Sequence, residues 1–342
     1  MAEIERRSRR RNVTLLKCLI VARSAGGARQ ALSTLEPARV RIGDILERVL
    51  VSGVSGPIGD ALLPYLESQG ARITRLVRGP AQGPDQISWD PMRPLTPGAV
   101  SGFEAVIHLA GETVAGRWSD AKKKAIRESR VQGTTHLTTA LATTEIPPRV
   151  FICASAIGFY GNRGDELLTE SSSAGRGFLP EVCQEWEAAS RIAASTGVRT
   201  VNLRIGMVLS PKGGALAKML TPFKLGLGGK IGSGQQWWSW IHIDDLVGGI
   251  HQAIQNASTS GAVNMVAPNP ARNVEFTQLL ASVLRRPSFF RVPAFAARLA
   301  FGRQAAEELL LNSARVDPAK LRENGYSFRF AELRAALEDL LG

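Results

Sequence analysis

The chain has 342 residues, 44% of them hydrophobic and 21% charged, and no apolar run reaches the roughly 18 residues of a helical membrane span. That composition excludes a disordered or collagen-like chain and allows one large α/β domain with a smaller lobe, or two modest domains. The formal net charge is +12, yet residues 1–48 hold eleven Arg/Lys and five Asp/Glu, which is half of the excess. The remainder shows no Lys/Arg stripe interleaved with aromatics, so nucleic acid is not an expected partner, and a basic surface that attracts an anionic cofactor is.

Residues 1–47 differ in character from the rest of the chain. "RRSRRRN" precedes "VTLLKCLIVA" and then "ARSAGGA", the order of basic region, apolar core and small residues found in an export signal. Lys17 interrupts the apolar core, and Glu3 and Glu5 sit among the first residues. Those two acids also count against an organelle-targeting peptide. The extension is therefore read as an irregular, partly disordered segment or a start placed too far upstream, with a targeting segment as the alternative. Cys18, Cys153 and Cys183 are too few and too scattered for a disulfide framework or a zinc site, so no metal is expected and the expected location is the cytoplasm. Cys153, inside "RVFICASA", reads as a small core residue.

From Arg48 onward strands and helices alternate. Apolar runs predict strands at Arg48–Ser52, Arg72–Val77, Ala105–Leu109 and 150–155, and a strand region at 198–209. Helical patterns fall between them at Pro57–Gln69, Ser119–Thr143 and Glu181–Ser195. Such alternation implies a parallel sheet with helices on both faces, and right-handed crossovers make it a doubly wound, Rossmann-like α/β fold. After about Gly213 the rhythm changes to the glycine-rich "KLGLGGKIGSGQQWWSWIHIDDL", short helices and few strands. A late segment of this kind predicts a smaller C-terminal lobe over the carboxyl ends of the strands, where ligands bind.

The first strand runs into Gly53, Gly56 and Gly59, and a helix comes next. Gly53 suits the tight turn, Gly56 the close approach of backbone to a pyrophosphate, and Gly59 the packing of helix on sheet. Ser55, Pro57 and Ile58 complete this loop, and the helix tip offers free N–H groups to phosphates. Pro64 cannot bond back to the carbonyl of Asp60, which predicts a kink or a shortened first helical segment. A dinucleotide without a 2′-phosphate is usually held by an acid at the end of the second strand. "RITRLVRGP" has none and ends in Arg78, whose guanidinium suits a 2′-phosphate, so the expected cofactor is NADP(H) rather than NAD(H).

Further stretches carry a resemblance: "HLAGE" (108–112), "SRVQGT" (129–134), "SAIGFYG" (155–161), "QEWE" (184–187), "LRIGMVLS" with "GGAL" (203–216), "PFKLGLGGKIGSGQQWWSWIHIDDL" (222–246), "APNPARNVEFT" (267–277) and "FGRQAAEELLLNSARVDPAKLRENGYSF" (301–328). Over about residues 48–340 the chain resembles the extended short-chain dehydrogenase/reductases, and within them the atypical YfcH-like epimerase family. Members of that family carry a C-terminal module of unknown function, here at about 287–338. The resemblance implies an NADP(H)-binding Rossmann-like domain at 48–212 and a lobe completing the cleft at 213–342. It further implies that Leu109, Ala110 and Gly111 line the adenosine side, that Arg130 approaches the cofactor, and that the backbone of Val208 touches the nicotinamide end.

The superfamily's reductases use a Tyr-x-x-x-Lys pair. Aligned on "FLPEVCQEWEAAS", Cys183 stands in place of the tyrosine and Glu187 in place of the lysine. A carboxylate there inverts the local field, so that mechanism does not carry over. Ser155 and Tyr160 are the candidate catalytic residues, the serine to hold a substrate oxygen and the phenol to protonate an alkoxide. Glu112, His242, Asp244 and Asp245 stand near the expected cleft, although the two aspartates also suit a helix cap. Gln235 and Gln236 offer amides, and Trp237, Trp238 and Trp240 flat walls, to a small organic substrate or, alternatively, anchors for the lobe. Two readings result. One is an NADP(H)-dependent oxidoreductase or nucleotide-sugar-epimerase-like enzyme acting on an unknown small molecule, with no nucleic-acid or membrane partner. The other is a non-catalytic NADP(H)-binding redox sensor or scaffold. The sequence does not fix the oligomeric state.

Overall fold

The structure, a computed structural model, describes residues 47–342. The expectations for residues 1–46 lie outside these. Among the described residues, seven parallel strands form the central sheet. In chain order the framework is β1 (Arg48–Ser52), α1 (Pro57–Ser68), β2 (Arg72–Val77), β3 (Gln86–Ser88), β4 (Ala105–His108), α2 (Asp120–Ala142), β5 (Val150–Ala156), α3 (Phe178–Ala194), β6 (Arg199–Ile205), α4 (Ile243–Gln255) and β7 (Gly261–Met265). Across the sheet they lie in the order β3-β2-β1-β4-β5-β6-β7. The chain reverses its direction of growth between β1 and β4, and the crevice at such a switch point is where open α/β sheets take ligands.

Strand periodicity explains the two helical layers. Val49 and Val51 of β1 point to one face and meet Leu62 and Leu66 of α1 and Ile250 of α4. Leu50 points to the other face and joins Leu137 of α2 and Trp186 of α3. Burial on both faces is why these strands read as unbroken apolar runs. Each such side chain contributes about 1.5–3 kcal/mol of burial. Helix α1 starts on Pro57 and runs through Pro64 to Ser68 without interruption, so the expected shortening does not occur. Asp60 and Pro64 are both exposed, and solvent is at hand for the carbonyl that the proline leaves without a helical donor.

The boundary drawn at 212/213 is corrected by β7. This strand comes from the segment assigned to the lobe, yet it pairs with β6 from Gly261↔Val201 to Met265↔Ile205 and completes the sheet. Its sequence, "GAVNM", dilutes three apolar residues with glycine and asparagine, which hid it. The rest of the segment builds the lobe from helix Gly214–Lys224, helix Asn273–Val283, helix Leu333–Leu341 and short strand pairs. Trp240, Phe276, Leu280 and Leu337 are fully buried between them. Among the described residues no helix is long and apolar enough to cross a membrane, and no cluster of His, Cys, Asp and Glu could hold a metal ion.

His108 ends β4 inside this core. Its ring bonds the Ser52 hydroxyl through Nδ1 (2.6 Å) and the Thr134 hydroxyl through Nε2 (3.0 Å). Burial, with a smaller push from Arg130, lowers its pKa to about 3. The folded state thus keeps His108 neutral, while the unfolded chain binds a proton below about pH 6.5. Its contribution is complete above pH 6.5 and is lost as pH falls towards 3, at up to about 1.4 kcal/mol per pH unit. Urea unfolding of the wild type between pH 6.5 and 4 is expected to show that slope and His108→Gln a flatter one. Equal slopes would place the acid sensitivity elsewhere.

Candidate functional site

Two cavities lie at the carboxyl ends of β1, β4 and β5, and Leu109 lines both. The first, of about 580 Å³, is walled by the loop after β1, the end of β2 and the loop after β4. The second, of about 460 Å³, lies between the end of β5, α3 and the C-terminal lobe.

The three glycines of the first loop do different work. Gly53 has φ +76°, and a Cβ there would lie 2.5 Å from the Ala110 backbone nitrogen. A Cβ on Gly59 would lie 2.5 Å from the Val54 carbonyl oxygen. Both glycines are required by the fold. Gly56 is not: it has an ordinary extended φ of −97°, and a Cβ there would meet nothing nearer than the Gly53 oxygen at 3.9 Å. It borders the cavity directly. The α1 tip behind it has no side-chain cap, so its first N–H groups are left for a ligand. Arg78 stands on the same wall. Its charge, with those of Lys122 and Arg130, helps hold the Glu112 carboxyl below its usual pKa, after the hydrogen bond from Lys122 Nζ.

The first cavity thus brings together Gly53, Ser55, Gly56, Arg78, Leu109, Ala110 and Gly111. Ile58, Arg130 and Ser155 line the second. Arg130 Nη1 donates to the carbonyls of Glu112 (2.9 Å) and Ile126 (3.1 Å), and its guanidinium lies 5.0 Å from the Trp186 ring centre. Pro57, Gly59 and Val208 line neither cavity. Pro57 packs on Gly213 and Gly59 on Val54, while Val208 pairs with Ile241.

A buried ion pair occupies the place of the missing tyrosine–lysine pair. Glu187 accepts from Arg204 Nε (2.9 Å) and Nη2 (3.0 Å), with side chains only 8% and 6% exposed. The Ser155 hydroxyl donates to Glu187 Oε1 at 2.8 Å. Burial, reinforced by the nearby Glu187 charge, pushes the Cys183 thiol up to about 12, so it is no nucleophile near neutrality. Sequence spacing carried no sign of this network, because Arg204 and Glu187 sit on different elements and meet only when β6 packs beside α3.

The expectation for Tyr160 is corrected. The 3₁₀ turn Ile157–Tyr160 turns the ring into the protein, where it is 0% exposed. Its hydroxyl donates to Asn264 Oδ1 (2.6 Å) and accepts from Arg204 Nη1 (3.0 Å). Burial raises its pKa despite the Arg204 charge, and it does not line the second cavity. His242, Asp244 and Asp245 also stay outside both cavities. His242 Nδ1 caps α4 at the Asp244 N–H, and the Asp245 carboxylate accepts from the N–H groups of Arg329 and Phe330. Gln236 Nε2 donates to the Ile231 and Leu310 carbonyls. Trp237 and Trp238 do line the second cavity, whereas Trp240 is core. Glu308 and Asn312, on the C-terminal segment, line it as well. No local pattern in the sequence marked them.

A doubly wound parallel sheet with an uncapped helix tip and an arginine-edged cavity at its switch point defines a Rossmann-like protein of the nucleotide-binding type. The family model described as "NAD dependent epimerase/dehydratase family" matches residues 49–266, and a domain of unknown function (DUF1731) matches residues 292–340. The chain belongs to the NAD-dependent epimerase/dehydratase family. An epimerase family protein of Mycobacterium bovis is 38% identical over 291 residues, covering 84% of this chain and 96% of that protein. The crystal structure of human epimerase family protein SDR39U1 (isoform 2) with NADPH superposes with a TM-score of 0.80 at 36% identity, covering 86% of this chain and 99% of that one. A nucleoside-diphosphate sugar epimerase of Corynebacterium glutamicum gives 0.73 at 38% identity, covering 86% of this chain and 58% of that one.

Proposed function

We propose that this protein binds NADP(H) at the switch point and is an oxidoreductase or epimerase-like enzyme acting on a small molecule, without the superfamily's tyrosine–lysine pair. The observation that carries the reading is Gly56: a glycine that the fold does not need, beside an uncapped helix tip and facing a cavity edged by Arg78. The donor set fits a phosphorylated dinucleotide. Backbone N–H groups at the α1 tip would take the pyrophosphate, the Arg78 guanidinium the 2′-phosphate, and Leu109, Ala110 and Gly111 the adenosine side. The NADPH-bound human relative supports the same choice. Bound there, NADP(H) supplies or takes a hydride. This chain's own part is to exclude water with Ile58 and Leu109 and to present Ser155. Because Ser155 gives its proton to Glu187, its oxygen is left as an acceptor for a substrate hydroxyl. A proton leaving that hydroxyl would pass to Ser155 Oγ as the serine proton passes to Glu187 Oε1, and would return by the same route.

The test of the cofactor is selectivity. A charge-assisted bond to phosphate is worth roughly 1.5–3 kcal/mol, so Arg78→Ala is expected to weaken NADPH binding about 10- to 100-fold and leave NADH binding unchanged. Calorimetry reads both. Equal losses for the two nucleotides would remove the 2′-phosphate from Arg78. Turnover is tested by NADPH oxidation over a panel of small carbonyl compounds.

The second reading is an NADP(H)-bound redox sensor. It is favoured by the commitment of Ser155, Glu187 and Tyr160 to one another through Arg204. It requires a protein partner with different affinity for the NADP⁺ and NADPH forms, and equal affinity would eliminate it. Our reading includes a cytoplasmic place, which the free buried thiols Cys153 and Cys183 suit, and no nucleic-acid or membrane partner.

A further inference from the structure

Nine large hydrophobic side chains are exposed among the described residues, and six of them fall in two stretches that run side by side. Leu225 and Leu227 lie just before the strand Gly229–Ile231. Phe289 and Phe290 open the strand Phe290–Val292, which pairs with it in parallel. Phe295 and Leu299 follow on the helix Ala294–Phe301, four residues apart and so on one side of it. The stretches pack closely: a Cβ on Gly226 would lie 3.5 Å from Pro287, and one on Gly232 would lie 3.9 Å from the Ala294 Cβ. Phe289 is 92% exposed and Leu299 74%. Single exposed apolar side chains are ordinary, but a group gathered on neighbouring segments marks an interaction surface. None of the six lines either cavity.

The charge around them has one sign. Residues 222–236 and 284–306 hold two lysines and five arginines, and no Asp or Glu. Arg298 pairs with Glu307 at 2.7 Å, and Arg291 Nε donates to the Gly232 carbonyl at 2.9 Å. Lys224, Arg285 and Arg286 are exposed and make no ion pair among the described residues. The strand Phe290–Val292 is also an open edge. Among the described residues its one neighbouring strand is Gly229–Ile231, and the Gly232 N–H bonds the Val292 carbonyl on that side. Alternation along the strand turns the N–H and C=O of Arg291 to the opposite side, where no described strand pairs with them.

We propose that this face docks a partner protein, taking up an extended segment with an apolar centre and acidic flanks as a further strand beside Phe290–Val292. The free backbone groups of Arg291 pair with the segment. The exposed phenylalanines and leucines bury its centre, and Lys224, Arg285 and Arg286 meet its acidic flanks. A second copy of this chain is the wrong occupant, since it brings the same cations against these. An anionic bilayer matches the charge and the apolar side chains, but its hydrocarbon offers nothing to an open strand edge. Docking here does not depend on the NADP(H) reading, because the surface lies outside both cavities.

The test is fluorescence anisotropy on the full chain. The probe is a fluorescein-labelled peptide, EEDFTVTFDEE. Its comparators are KKKFTVTFKKK and the acidic peptide N-methylated at every central residue, which cannot pair as a strand. The acidic peptide is expected to bind about tenfold more tightly than either comparator. Phe289→Ser with Phe295→Ser is expected to weaken it about tenfold or more, and Arg285→Glu with Arg286→Glu about tenfold. Melting temperature and NADPH affinity hold in both variants, because the altered side chains are exposed and line neither cavity. Acidic and lysine peptides binding equally, or not at all, overturn the proposal, as does undiminished binding to the double serine variant. An N-methylated peptide that binds as well as its parent removes the strand pairing and overturns it too. Vesicles of POPC and POPG in equal parts are expected not to bind. If they bind through the same two phenylalanines while the peptide does not, the face is a membrane surface and the proposal falls. It falls equally if the chain dimerises in sedimentation and the double serine variant does not.

Discussion

Arg204→Met is expected to destabilise the protein by about 3–5 kcal/mol, the range for removing one partner of a buried ion pair. The arginine makes every bond that keeps its surroundings neutral. It donates to both Glu187 oxygens, to Tyr160 Oη at 3.0 Å and to the Glu170 carbonyl at 3.3 Å, and it lies 3.5 Å from the Phe159 ring centre. Burial pulls its pKa down, but the bonds to Glu187 and Tyr160 more than offset that, so it stays charged. Without it the Glu187 carboxylate is stranded with the Ser155 hydroxyl as its remaining donor. The double variant Arg204→Met with Glu187→Met is expected to regain most of the loss, since well-packed apolar replacements of such pairs are often neutral or better. Urea unfolding of the two single variants and the double closes the cycle. If the double variant is no more stable than Arg204→Met, the damage is lost packing and not a stranded charge. The same pair explains why the superfamily's lysine cannot stand at position 187. Its ammonium would face the Arg204 guanidinium with like charge in a site closed to water.

The scaffold was legible because its signals are local. The β1, β4 and β5 segments are unbroken apolar runs, and parallel strands covered on both faces must be. The glycine loop was legible because its spacing and its strand–turn–helix context come together. What failed was long-range or directional. Strand β7 is five residues long, two of them Gly261 and Asn264, and nothing local marks it as the sheet's edge. Tyr160 has the right chemistry for a proton donor. Only the 3₁₀ turn after β5 decides that its hydroxyl points at Asn264, 104 residues away, and not into the cavity. The Ser155–Glu187–Arg204 chain joins β5, α3 and β6 through side chains whose spacing has no helical or strand period.

Gly56→Val is expected to weaken NADPH binding more than a hundredfold, a loss of over about 2.7 kcal/mol, with little change in the stability of the ligand-free protein. The two halves of that result come from one measurement of space. A Cβ at Gly56 meets no protein atom nearer than 3.9 Å, and φ is −97°, a value open to any L-residue. The fold therefore tolerates a side chain, and loss of glycine's freedom in the unfolded chain offers a small compensating gain. The isopropyl group, however, extends into the volume that the phosphates are to fill at the helix tip, where approach to the backbone N–H groups must be close. Gly53→Ala is the control with the opposite signature. Its φ of +76° and a Cβ 2.5 Å from the Ala110 backbone make it strained in the protein alone, so it melts early whether or not nucleotide is present. Thermal melts of each variant, with and without NADPH, separate the two causes. If Gly56→Val melts like the wild type and NADPH stabilises it by the same margin, the glycine serves no ligand and the cavity is not the dinucleotide site.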